Sequence, residues 1–151
     1  MRFPRLRPAL PVLATIFIGA LSAGCNNGST TPTPVLATEN LTGTVAVQGS
    51  DSKRFTVNYQ LAGTDGSVTV TSLTTAANNT PLTTTIGVAF GTLAFDGSCA
   101  ASATFTANAA AIGQELVASG AFIGPQVYCV KIFDAGTLTE PTNYAITVKH
   151  F

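Results

Sequence analysis

The sequence predicts an all-β protein: a single antiparallel β-sandwich of jelly-roll or Greek-key type, set behind an N-terminal signal peptide and a flexible tether. Three observations carry that prediction. Apolar residues recur at every second position in short runs, the period of a half-buried strand. The runs are bounded by Gly, Asn, Asp or Pro, which end strands and make turns. Charged residues make up only 9% of the 151 residues against 46% hydrophobic, a balance that, with abundant Thr, Ala, Gly and Val, fits an extracellular β protein. A chain of this length holds one domain with a real core.

Residues 1–24 read as a secretory signal. Arg2, Arg5 and Arg7 form a positively charged start, residues 10–21 are almost wholly apolar, and Ser22, Ala23 and Gly24 are the small residues of a cleavage site. The apolar run is shorter than the roughly 20 residues of a membrane span. Cys25 follows at once. The stretch "LSAGC" resembles the lipobox of bacterial lipoproteins, although Ser22 stands three residues before the cysteine where that family prefers Leu, and Leu21 lies one place further back.

The resemblance implies removal of the signal and diacylation of the Cys25 sulfur, often with acylation of the new amino terminus. Several chains on one residue anchor stably, since each buried CH₂ contributes roughly 0.8 kcal/mol and a single chain is marginal. By the same resemblance Asn26, in place of Asp, implies the outer membrane where the organism has one. The alternative is a conventional signal cleaved nearby, leaving Cys25 a free thiol. Residues 25–39, rich in Pro, Gly, Ser and Thr, read as a flexible tether between the lipidated cysteine and the domain.

The domain is assigned to residues 40–151. Strand patterns appear in order at residues 44–47, then in "RFTVNYQ" with Phe55, Val57 and Tyr59 on one face, and in "SVTVTSL" with Val68 and Val70 together. Ile86, Val88 and Phe90 alternate in "TTTIGVAFG", and "SATFTA" carries Phe105. The strongest run, "QVYCVKIFDAG", sets Tyr128, Val130 and Ile132 against Cys129 and Lys131, and "YAITVKHF" aligns Tyr144, Ile146 and Val148. The nearest approach to a helix period, residues 106–118, is interrupted by Gly113. Seven or eight such strands make a two-sheet sandwich.

The succession "SDSKRFTVNY", "SVTVTSL", "TTTIGVAFG" and "YCVKIFDAGTLTEPTNYAITVKHF" resembles the bacterial pre-peptidase C-terminal (PPC) domain over most of residues 43–148. That resemblance implies a jelly-roll sandwich, usually a non-catalytic appendage of secreted enzymes. Within this sequence no enzyme domain accompanies it, and Thr83, Thr84 and Thr85 stand where the family often has aspartates.

With Cys25 given to lipid, Cys99 and Cys129 remain as an even pair in an oxidising compartment, so a disulfide is expected; the alternative is two separate buried thiols. Catalytic chemistry is sparse. His150, the only histidine, lies beside the C-terminus and is expected to be solvated, which disfavours a triad or a histidine metal site.

Asp65-Gly66 and Asp96-Gly97 read as turn pairs, and a calcium site built from Asp51, Asp65 and Asp96 is the lesser reading, since calcium takes 6 to 8 oxygens. Tyr59, Tyr128 and Tyr144 read as core, not as sugar platforms. From Cys25 onward four cations face seven carboxylates, a mildly acidic balance with no basic footprint for nucleic acid.

No catalytic residue, metal or cofactor is therefore assigned. The expected protein is a non-enzymatic lipoprotein of the cell envelope, held to the membrane by its anchor, whose sandwich is a structural or interaction module. The alternative is a carbohydrate- or protein-binding accessory module that uses loops at one end of the sandwich.

Overall fold

A computed structural model of the chain describes residues 35–58 and 64–151. The span read as a signal, 1–24, Cys25, the first part of the span read as a tether, and Tyr59 lie outside the described residues. Eight strands follow one another: β1 (Ala37–Val45), β2 (Ser50–Val57), β3 (Thr64–Thr75), β4 (Ile86–Leu93), β5 (Cys99–Ala110), β6 (Glu115–Phe122), β7 (Gln126–Phe133) and β8 (Thr142–His150). They form two four-stranded sheets, β1-β8-β3-β6 and β2-β7-β4-β5, with every pairing antiparallel. This order is the jelly roll, in which successive strands alternate between sheets except at the β4–β5 hairpin and the chain winds as two Greek keys.

The core lies between the sheets and is built by alternation. In β8 Thr142, Tyr144, Ile146, Val148 and His150 are buried and the residues between them are not. Phe55 and Val57 of β2 face Val68, Val70 and Leu73 of β3 across the interior, with Val88 and Phe90 of β4 beside them. Each such side chain contributes roughly 1.5–3 kcal/mol when taken from water. At one end the core is aromatic: the Phe55 ring lies 5.6 Å from Phe122 and 6.0 Å from both Phe90 and Tyr128, and Phe122 packs edge-on to Tyr128 at 4.6 Å.

Three local readings need correction. The first strand is not residues 44–47: pairing with β8 starts at Ala37, so residues 37–39 of the span assigned to the tether belong to the sheet. The strand ends at Val45, because Gln48 takes φ 56° and the Gly49 N–H donates to the Ala46 carbonyl, turning the chain and leaving Val47 42% exposed. Asp65-Gly66 is not a turn. It sits in β3 at a bulge against β6, and Gly66 is required there because the Phe122 ring lies where a Cβ would project. Residues 106–118 hold the end of β5, a turn at Gly113 with φ 83°, and the beginning of β6, a strand that the alanine-rich run concealed.

Candidate functional site

The carboxylate–lysine and carboxylate–histidine pairs that reach inward lie along the seam where β1 and β2, the edge strands of the two sheets, run side by side. Alternation in β2 turns Asp51 and Lys53 to the same side as Phe55 and Val57, so a carboxylate and an ammonium enter the interlayer space at the edge. The Tyr144 hydroxyl donates to Asp51 Oδ2 at 2.7 Å, Lys53 Nζ lies 3.1 Å from the same oxygen, and the Ser52 N–H donates to Oδ1 at 2.7 Å.

Gly43 makes this possible. It is the cross-strand partner of Tyr144, and a Cβ built on it would stand 2.5 Å from the tyrosine oxygen and 2.3 Å from Asp51 Oδ2. Burial pushes the Asp51 carboxyl up, yet the hydrogen bonds from Tyr144, Lys53 and Ser52, with the Lys53 charge, outweigh it and hold its pKa below the ordinary carboxylate value. Burial first, then the hydrogen bond to Asp51 and the Asp51 charge, push the Tyr144 phenol well above its ordinary range, so it stays a donor.

His150 is not a solvated tail residue. It is 3% exposed, its Nε2 lies 3.0 Å from Glu39 Oε1, and its ring sits 5.0 Å from Phe55. Position in sequence misled the expectation: β8 stays paired to β1 through His150, and the inward parity that starts at Tyr144 lands on residue 150. Buried Nδ1 has no hydrogen-bond partner. Glu39 and His150 thus clasp the first residues of β1 to the last of β8.

The two expected cysteines meet. Cys99 and Cys129 form a disulfide with a Cα separation of 5.8 Å, across 30 residues of sequence. They are not on neighbouring strands, since β4 lies between β5 and β7. Gly91 of β4 pairs with Cys129 on one side and Ala101 on the other, and a Cβ there would meet the Ala100 carbonyl oxygen at 2.3 Å. The first residues of β5 therefore ride over the outer face of β4, and the pairing resumes only at Ala89 with Thr106.

The remaining carboxylates close turns or loops. Asp96 accepts from the Ser98 N–H at 2.9 Å, and its bonds with Ser98 lower its pKa. Asp134 accepts from the N–H groups of Gln48, Gly136, Thr137 and Leu138, with the Gln48 bond the main cause of its lowered pKa. Asp65 accepts from the Gly120 N–H at 2.8 Å. Asp51, Asp65 and Asp96 stand in β2, in β3 and in the β4–β5 turn, and the described residues contain no group of three or more His, Cys, Asp or Glu placed to hold a metal.

Tyr128 and Tyr144 are interior, so neither is a surface platform. A cavity of about 200 Å³ opens beside the β5 bulge, lined among others by Phe90, Phe105, Phe122 and Tyr128. It is smaller than the 300–1,000 Å³ usual for organic ligands. Among the described residues no helix is long and apolar enough to cross a membrane. No protein-family model and no curated protein matches the chain.

Proposed function

We propose that the protein is a lipoprotein of the cell envelope, anchored through Cys25, and that its PPC-like sandwich is a non-catalytic structural or interaction module. The observation that carries this reading is the distribution of the three cysteines. Two are consumed in a disulfide, the mark of an oxidising compartment, and the third stands where an apolar signal meets its small residues. The titratable side chains of the seam support the non-catalytic part: Asp51, Tyr144, Glu39 and His150 are engaged with one another at the edge of the sandwich.

Metabolic labelling with a palmitate analogue tests the anchor. Wild-type chain takes up label and Cys25→Ser does not. Equal labelling of the two would overturn the lipoprotein reading.

A further inference from the structure

The two ends of the sandwich differ in what they show to solvent. The end at which the described chain begins carries the start of β1, the end of β8, the β4–β5 turn and the β6–β7 turn, because Ala37 pairs with His150 and Leu93 with Cys99, while Phe122 and Gln126 bound a three-residue connection. Val35, Leu36, Phe95 and Ile123 all lie there exposed, Phe95 completely and Ile123 by 64%. Val127, one residue into β7, adds to them. At the opposite end only Val47 and Ile112 are exposed large apolar residues among those described, each by less than half.

The two apolar tips are held, not loose. The Phe95 turn is closed by the Ala94 N–H on Ser98 O at 2.8 Å and the Gly97 N–H on Ala94 O at 2.9 Å, and the Arg54 guanidinium donates to Gly97 O at 2.9 Å. Tyr128 receives the Ile123 N–H on its hydroxyl oxygen at 2.6 Å and is also bonded by Gln126. Each turn is thus closed by its own hydrogen bonds and presents a bulky apolar side chain outward, with the Asp96 carboxylate exposed beside Phe95. Exposed apolar groups clustered at one end mark an interaction surface.

We infer that this end rests on a lipid bilayer, with Phe95 and Ile123 in its interfacial layer. The inference builds on the anchor proposed at Cys25. Ten residue steps lead from Cys25 to Val35, a reach of at most about 35 Å, whereas β1 carries the chain roughly 30 Å to the opposite end. An anchored chain therefore brings the apolar end to the membrane readily and the Val47 end only by running a nearly extended tether back along the whole sandwich. Asp96, beside Phe95 and ionised, keeps the contact shallow.

The chain has no tryptophan, so single substitutions report their own surroundings. Phe95→Trp, Ile123→Trp and, at the other end, Val47→Trp are made in the full chain, each placed in phosphatidylcholine vesicles with brominated acyl chains, and palmitate labelling of Cys25 is followed in the same samples. Blue-shifted emission that brominated lipid quenches for Phe95→Trp and Ile123→Trp, but not for Val47→Trp, is expected.

Emission as in water from Phe95→Trp and Ile123→Trp on palmitate-labelled chain overturns the seating while leaving the anchor. Quenching without palmitate label upholds the seating and removes the anchor. Blue-shifted emission that brominated lipid does not quench means that protein covers this end, and equal quenching at Val47→Trp means that orientation is not selected; either result overturns the inference.

Discussion

The end of the sandwich at Ala37 and the end at Val45 both close their turns with carboxylates and backbone bonds but differ in what they expose. At the Val45 end the Asp134 carboxylate gathers four backbone N–H groups, Thr137 Oγ1 donates to Thr85 O at 2.6 Å, and Asn143 Nδ2 reaches Asn79 at 3.1 Å. At the Ala37 end the turns close by backbone bonds, the Asp96 carboxylate on the Ser98 N–H, a tyrosine hydroxyl and an arginine, and the exposed tips are Phe95 and Ile123. The difference lies in the tips: bulky apolar side chains at the Ala37 end, and at the Val45 end no large apolar side chain exposed by half or more among the described residues.

The largest effect should come from cutting the covalent tie at the apolar end. Closing 30 residues stabilises by about 3.6 kcal/mol in the chain-entropy model, so Cys99→Ala should lower the thermal midpoint by on the order of 10–20 °C, measured by circular dichroism. A shift of only a degree or two would mean that β5 is held over β4 without the bridge.

A smaller effect concerns the polar seam near the Val45 end. Asp51 and Asp134 have folded pKa values below 3.8, so the stability they contribute is fully present above that value and is lost as pH falls through the folded pKa. Tyr144→Phe should cost about 1 kcal/mol near neutral pH and flatten the acid limb of the stability curve. An acid limb identical to wild type would show that Asp51 is not held by Tyr144.

The smallest effect is expected at the apolar tip itself. Phe95 is fully exposed, so Phe95→Ser should change stability by less than about 0.5 kcal/mol in solution, by denaturant titration. A large loss would make Phe95 a packing residue and erase the contrast between the ends.

Much of the architecture was readable from alternation alone. Phe55 and Val57, Val68 and Val70, and Tyr144, Ile146 and Val148 are inward as their period-2 spacing requires, because a strand's side chains have no other choice of face. The pairing of Cys99 with Cys129 followed from count and compartment. Strand β6 was hidden because Ala and Gly carry little periodic signal, and β1 because Thr, Glu and Asn at its start pack only once β8 lies beside them.

What tertiary structure alone decided is which residues of distant segments share a place. Nothing near Gly91 in sequence announces that β5 crosses it on the way to Cys129, and nothing near Gly43 announces the phenol of Tyr144. His150 could have been placed by extending the parity of β8 two residues further, but its partner Glu39 stands 111 residues away. The gathering of Phe95, Ile123 and the chain's entry at one end is likewise a product of jelly-roll winding, which folds local patterns into a common surface by contacts that no local pattern contains.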